Sequence, residues 1–219
     1  MTTELPYARV PRVPAHWDRS LAPTEWPWAE LPTLPPFRLV NPFEPAQQQT
    51  QARICADAEK LYVRFDCDDR HIWGTFTQRD EHIYDEEVVE VFISPGPETP
   101  TRYYELEVSP NGVLLDAKIH NPTSERSNIT VDFSWDCPNI GWWAGRNDAA
   151  NHWWAILALP WAEIGAQGEL PRLWRANFYR IERPEGGPDE FSCWSPTRAE
   201  PADFHKPAFF GTLELDEDL

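Results

Sequence analysis

Long apolar runs are missing from this sequence. The mean hydropathy is −0.58, and no stretch approaches the ~20 apolar residues that a spanning helix needs. The opening residues, MTTELPYARV, also lack the apolar segment of a secretory signal. The expected location is therefore the cytoplasm. Basic residues are scarce: 19 Lys and Arg stand against 36 Asp and Glu, a formal net charge of −17. Such a surface repels phosphate backbones and anionic bilayers, so neither nucleic acid nor membrane is an expected partner. A neutral ligand meets no such barrier. Methionine is nearly absent, with Met1 the only one. Haem ligation by Met and His is thereby excluded, while ligation by two histidines stays open. There is no C-x-x-C and no H-x-x-x-H, so zinc has no ligand set. The cysteines are Cys55, Cys67, Cys137 and Cys193. A turn at Asp57–Lys60 sets Cys55 opposite Tyr62 and leaves Cys67 too far along for a bridge. All four are read as reduced thiols, which agrees with a cytoplasmic location.

What the chain has in abundance is tryptophan and proline. Ten of its 23 prolines fall within residues 1–50. Proline cannot donate in a sheet interior, so this segment is expected to wrap the domain as an extended arm. Trp17, Trp26 and Trp28 would be its pegs. From residue 51 the apolar period is two. QARICA and KLYVRFDC flank a turn and read as a hairpin. Leu61, Val63 and Phe65 then face one way; Tyr62, Arg64 and Asp66 face the other. In EVVEVFIS, Val89, Val91 and Ile93 oppose Val88, Glu90 and Phe92. RYYELEVSP alternates likewise, with Glu105 and Glu107 on one face, and Asn111-Gly112 turns it back into VLLDAKIH. Residues 121–134 are polar and read as irregular. GWWAGRN and HWWAILALPW form a further strand pair, and one Trp of each doublet must point inward. PWAEIGA is the one short helix expected, and RANFYRIER and the closing FFGTLEL are strands.

Many short strands joined by turns predict a single all-β domain, an antiparallel β-sandwich of two sheets. The arm would cover residues 1–50 and the sandwich 51–219. One position stands out within it. Glu90 sits inside an apolar strand, and Asp80, Glu81, Asp85, Glu86 and Glu87 crowd its approach around Tyr84.

Several stretches, in this order and spacing, resemble the family 9 carbohydrate-binding modules of the DOMON-like superfamily. They are KLYVRFDCDD, the acidic segment ending in EVVEVFI, YYELEVSPNG, LPW, WRANFYRIE, WSP and FHKPAFFGTLEL. The likeness runs from about Trp17 to Leu215. It implies a sugar ring held between two aromatic side chains at a loop edge, which fall here on Tyr84 and Phe204. It also implies hydrogen bonds from sugar hydroxyls to a strand glutamate, which falls on Glu90. Two departures are visible. The aromatics are Tyr and Phe where the family commonly has Trp, and Glu107 stands where the family has a sugar-binding arginine. By position, Asn177, Arg180, Trp194 and His205 are further candidates for the ligand site. The physics suits such a ligand, because pyranose C–H faces pack on aromatic rings and hydroxyls donate to carboxylates.

Each of these features also has a purely structural reading. Glu90 is equally explained as a buried acid paired with Arg64 or Arg180. Glu105 and Glu107 are more simply a solvated sheet face than a glycosidase pair with Glu90. Asp66, Asp68 and Asp69 are oxygen ligands of the kind calcium prefers, and calcium occurs in the related modules. They lack the EF-hand spacing and read first as a solvated acidic turn. The expected function is binding of a mono- or oligosaccharide without catalysis. Glycoside hydrolysis, haem binding and a domain that has lost its sugar site are the alternatives.

Overall fold

The alternating strands assemble into two stacked sheets in the computed structural model, which describes residues 4–217 and 219. In chain order the strands are β1 (Tyr7–Val10), β2 (Arg38–Leu39), β3 (Thr50–Ala56), β4 (Lys60–Asp68), β5 (Val88–Pro95), β6 (Arg102–Val108), β7 (Leu114–His120), β8 (Thr130–Asp132), β9 (Gly141–Asn147), β10 (His152–Pro160), β11 (Leu173–Glu182), β12 (Glu190–Cys193) and β13 (Gly211–Leu215). The larger sheet runs β1-β13-β11-β5-β6-β7-β8, with β12 and β2 attached beside β11. The smaller sheet runs β3-β4-β10-β9. Most pairs are antiparallel, as alternation and short turns require. The exception is β1, which pairs parallel with β13, Tyr7 opposite Thr212 and Val10 opposite Leu215.

Period two decides which side chains meet. Val89, Val91 and Ile93 of β5 face Leu61, Val63 and Phe65 of β4 across the main core. The Trp doublets divide as expected: Trp142 and Trp153 belong to this core, while Trp143 and Trp154 lie on the outer side of the small sheet. There Trp17, Trp26 and Trp28 of the proline-rich segment stack on Tyr62, Ile156 and Ala158. The segment thus adds a third layer, and Trp26 sits 4.8 Å from the Tyr62 ring. Cys55 pairs in register with Tyr62, and the four thiols are free and buried.

Two local expectations change. PWAEIGA makes one hydrogen-bonded turn and no helix: the Ile164 amide donates to Pro160 at 3.2 Å and that of Ala166 to Trp161 at 2.9 Å. Gly165 at φ +104 then ends it, a conformation that side chains disfavour. The segment 121–134 is not wholly irregular, since β8 adds to β7. The β6–β7 turn is set by Pro110 and by Gly112, which takes φ +79. The Gly112 amide donates to Ser109 at 2.9 Å.

Candidate functional site

The outer face of the large sheet is the floor of the site. Because Val89 and Val91 point into the core, Val88, Glu90 and Phe92 must point out. Glu90 lies directly opposite Glu107 of β6 and Tyr179 of β11. Glu105 follows one pleat along β6, so three carboxylates share one patch. Carboxylate oxygens of Glu90, Glu105 and Glu107 all lie within 4.8 Å of one another. Their exposures are 2%, 6% and 1%.

Loops build walls over this floor. The chain from Ser124 to Phe133 closes one side, Thr197 to Phe209 another, and Tyr84 and Arg183 a third. They enclose an open cleft of about 1000 Å³, at the upper end of the usual size of ligand pockets, about 300–1,000 Å³. Tyr84 is half-buried and stacks on His82, with centroids 5.2 Å apart. Its backbone carbonyl accepts from Arg183 at 3.3 Å, which ties the aromatic to the end of β11. Phe204 is buried and stacks on Tyr179 at 4.2 Å. The Tyr179 hydroxyl in turn donates to the Phe204 carbonyl at 3.0 Å. His205 places Nδ1 2.9 Å from the Tyr103 hydroxyl and packs on Phe92.

The electrostatics are unbalanced. Among the described residues, no Lys, Arg or His forms an ion pair with any of the three glutamates. Glu107 Oε2 is buried with no hydrogen-bond partner. Burial raises the carboxyls of Glu90 and Glu107 well above the ordinary range, and repulsion raises them further, from Glu105 on Glu90 and from Glu90 and Glu105 on Glu107. Arg126 on the rim acts in the opposite direction on Glu90. Burial also raises the Tyr84 phenol, followed by Asp85, Glu107 and Glu105. Burial lowers the His205 imidazole, so it favours the neutral form.

Of the expected site residues, Tyr84, Glu90, Glu107, Phe204 and His205 line this one cleft. Asn177, Arg180 and Trp194 do not. Asn177 is fully buried, donates to the Ser195 carbonyl at 2.7 Å and accepts from the Ser195 and Phe178 amides, so it is committed to the protein's own backbone and does not line the cleft. Arg180 pairs in register with Val89, so it points to the core face, opposite to Glu90. Its guanidinium binds Asp69 and Glu182 and donates to the Asp68 carbonyl at 2.7 Å. Trp194 follows β12 into the core and packs on Phe178, with centroids 5.6 Å apart. Arg64 is no partner of Glu90 either, because it binds Asp66 on the small sheet.

The DCDD acids do not fit calcium. Asp66 is held by Arg53 and Arg64, Asp68 is exposed, and Asp69 is buried against Arg180. Successive residues of a strand point to opposite faces, so Asp66 and Asp68 share one side of β4 while Asp69 turns to Arg180, and the three do not converge. Sequence reasoning missed Phe92, Arg126, Phe133 and Phe191 as cleft residues. Phe92 was within reach, since it shares the face of Glu90. The other three sit in or beside loops whose placement has no local signal.

A family model described as "Carbohydrate-binding family 9" matches residues 40–215. A protein of Arthroderma benhamiae described as "Extracellular protein" is 28% identical over 205 residues, 84% of this chain and 88% of that protein. Among solved structures, a putative carbohydrate-binding protein from Bacteroides uniformis superposes with a TM-score of 0.77 at 19% identity, covering 97% of this chain and 100% of that one. A family 9 carbohydrate-binding module from Caldicellulosiruptor kristjanssonii in complex with glucose gives a TM-score of 0.60 at 12% identity, with 96% of each chain covered. The same module in complex with cellotriose gives 0.61, also at 12% identity, covering 96% of this chain and 94% of that one. These likenesses to solved structures show the two-sheet fold.

Proposed function

Because the chain belongs to carbohydrate-binding family 9, we propose that its cleft holds a neutral mono- or oligosaccharide and does no chemistry on it. The observation that carries this reading is the pairing of Tyr84 and other aromatic walls with a floor of unpaired carboxylates. Tyr84 offers a half-buried ring to a pyranose C–H face. Glu90 and its neighbours offer acceptor oxygens to the hydroxyl rim. Phe204 takes a lesser part, since Tyr179 already covers one face of its ring. Glucose and short β-glucans are the first ligands to try, given the sugars held by the Caldicellulosiruptor module.

Binding without catalysis is favoured by how the acids stand. Glu90 and Glu107 face each other in register on one sheet face, so they rise side by side from below a ligand. A glycosidase pair must flank the scissile bond. The test is calorimetry against glucose, cellobiose, cellotriose and xylobiose, with wild type and Tyr84→Ala. Wild type should bind at least one of them. The variant should lose about tenfold or more in affinity while keeping its fold, since an aromatic stack is worth about 0.5–1.5 kcal/mol beyond its buried area. A folded wild type that binds none of these sugars, or turnover of a chromogenic glycoside that vanishes in Glu90→Gln, would overturn the reading.

A further inference from the structure

We propose that the floor of the cleft is a calcium site, with Glu90, Glu105 and Glu107 holding a Ca²⁺ whose open coordination positions face the cleft. Three groups of acids converge in the described structure: Asp69 with Glu87 and Glu182, Asp80 with Asp116 and Asp136, and Glu90 with Glu105 and Glu107. The first contains the Arg180 guanidinium, bound to Asp69 and Glu182. The second contains Arg79, 2.8 Å from Asp116 and 3.4 Å from Asp136. Both therefore carry a built-in cation. Among the described residues the third has no ion-pair partner, although its three members are all buried, at 2%, 6% and 1% exposure.

A second observation points the same way. Glu107 Oε2 is buried with no hydrogen-bond partner. A buried acceptor left unpaired costs roughly 1–3 kcal/mol, more when charged, so native structures seldom keep one without a ligand. The chemistry of the set selects the ion. All three ligands are carboxylates, with no Cys or His among them, which suits a hard cation and disfavours zinc. Oxygens within 4.8 Å of one another match ligands on a shared ion, because Ca–O distances of about 2.3–2.6 Å place two ligands at most about 5 Å apart. Magnesium demands stricter octahedral geometry than three glutamates on a pleated face provide. Calcium takes about six to eight oxygens, so the open side of the cleft supplies the rest from water. A dication also offsets more of the site's charge than a single protonated amine would.

This site stands on the acids alone. The further step, that the ion accepts sugar hydroxyls as ligands, rests on the sugar-binding reading. The test uses the metal by itself: protein stripped with EDTA is titrated with Ca²⁺ by calorimetry, and thermal stability is followed in parallel. One saturable site is expected in wild type, with a raised Tm. Glu107→Gln should weaken it at least tenfold, as should Glu105→Gln if the first variant does not fold. Glu87→Gln, at the Arg180 cluster, should leave it unchanged. No response of wild type to Ca²⁺ would overturn the proposal, as would a response removed by Glu87→Gln and kept in the other two variants. Binding of glucosamine without any response to Ca²⁺ would also overturn it and assign the floor to an ammonium group. Glucose is then titrated with and without Ca²⁺. Equal affinity in EDTA would overturn the sugar–metal contact and leave the metal site standing, whereas Ca²⁺ binding with no sugar binding would count against the sugar reading alone.

Discussion

Replacing Glu107 by glutamine removes one ionisable carboxyl from a patch that has no cation to balance it, and keeps nearly the same shape. In chelator the structure predicts a signature in pH rather than a simple loss. The folded-state carboxyls of Glu90 and Glu107 are raised well above their ordinary value, first by burial and then by their acidic neighbours. An unfolded glutamate titrates near 4.3. Above that pH the folded protein therefore binds protons that the unfolded chain has released, and stability falls as pH rises toward the folded values. One such proton is worth about 1.4 kcal/mol per pH unit. For a chain of 219 residues this corresponds to at most about 3–6 °C in Tm per pH unit within the window above the unfolded value. The Tm of wild type should thus fall more steeply than that of Glu107→Gln by about this amount. Calorimetric scans of both proteins in EDTA at half-unit steps would measure it. Parallel curves would refute the claim that Glu107 is buried with a raised carboxyl.

Three other outcomes follow from contacts away from the cleft. Arg180→Met should destabilise by about 3–5 kcal/mol, because it strands Asp69 and Glu182 without their cation; denaturant unfolding reads this. Gly211→Ala should cost about 1–3 kcal/mol in the same assay, since a Cβ there meets the Trp194 ring and lies 2.8 Å from the Pro6 carbonyl oxygen. The thiols of Cys55, Cys67 and Cys137 are each pushed up to about 12, mainly by burial. A thiol reagent at pH 8 should therefore label the native protein far more slowly than the unfolded one, and rapid labelling of a native thiol would contradict their burial.

The strands of the sandwich were legible because both of its sheets bury one face against the core, and period two is the direct imprint of that burial. The alternation in β5 also told which side Glu90 takes. It did not tell what would stand opposite, since Arg180 and Glu90 are 90 residues apart and only the pairing of β11 with β5 puts them on different faces. Trp194 was a candidate by position alone, yet its amide donates to the Phe178 carbonyl at 2.9 Å and its ring follows into the core. The parallel pairing of β1 was hidden in a proline-rich stretch, because Tyr7–Val10 makes its ladder with a strand more than 200 residues away. PWAEIGA carries a helical pattern for only one turn, and Gly165 stops it. The cleft itself depends on loops 124–133 and 197–209, whose positions follow from tertiary packing and leave little periodic trace.

The most direct test of the sugar-binding account is a crystal structure of the protein soaked with cellotriose. The account predicts a pyranose ring against the Tyr84 face, with hydroxyls directed at the Glu90, Glu105 and Glu107 floor. Sugar bound on the tryptophan layer over the small sheet, or a cleft that stays free of sugar while calorimetry shows binding, would contradict it.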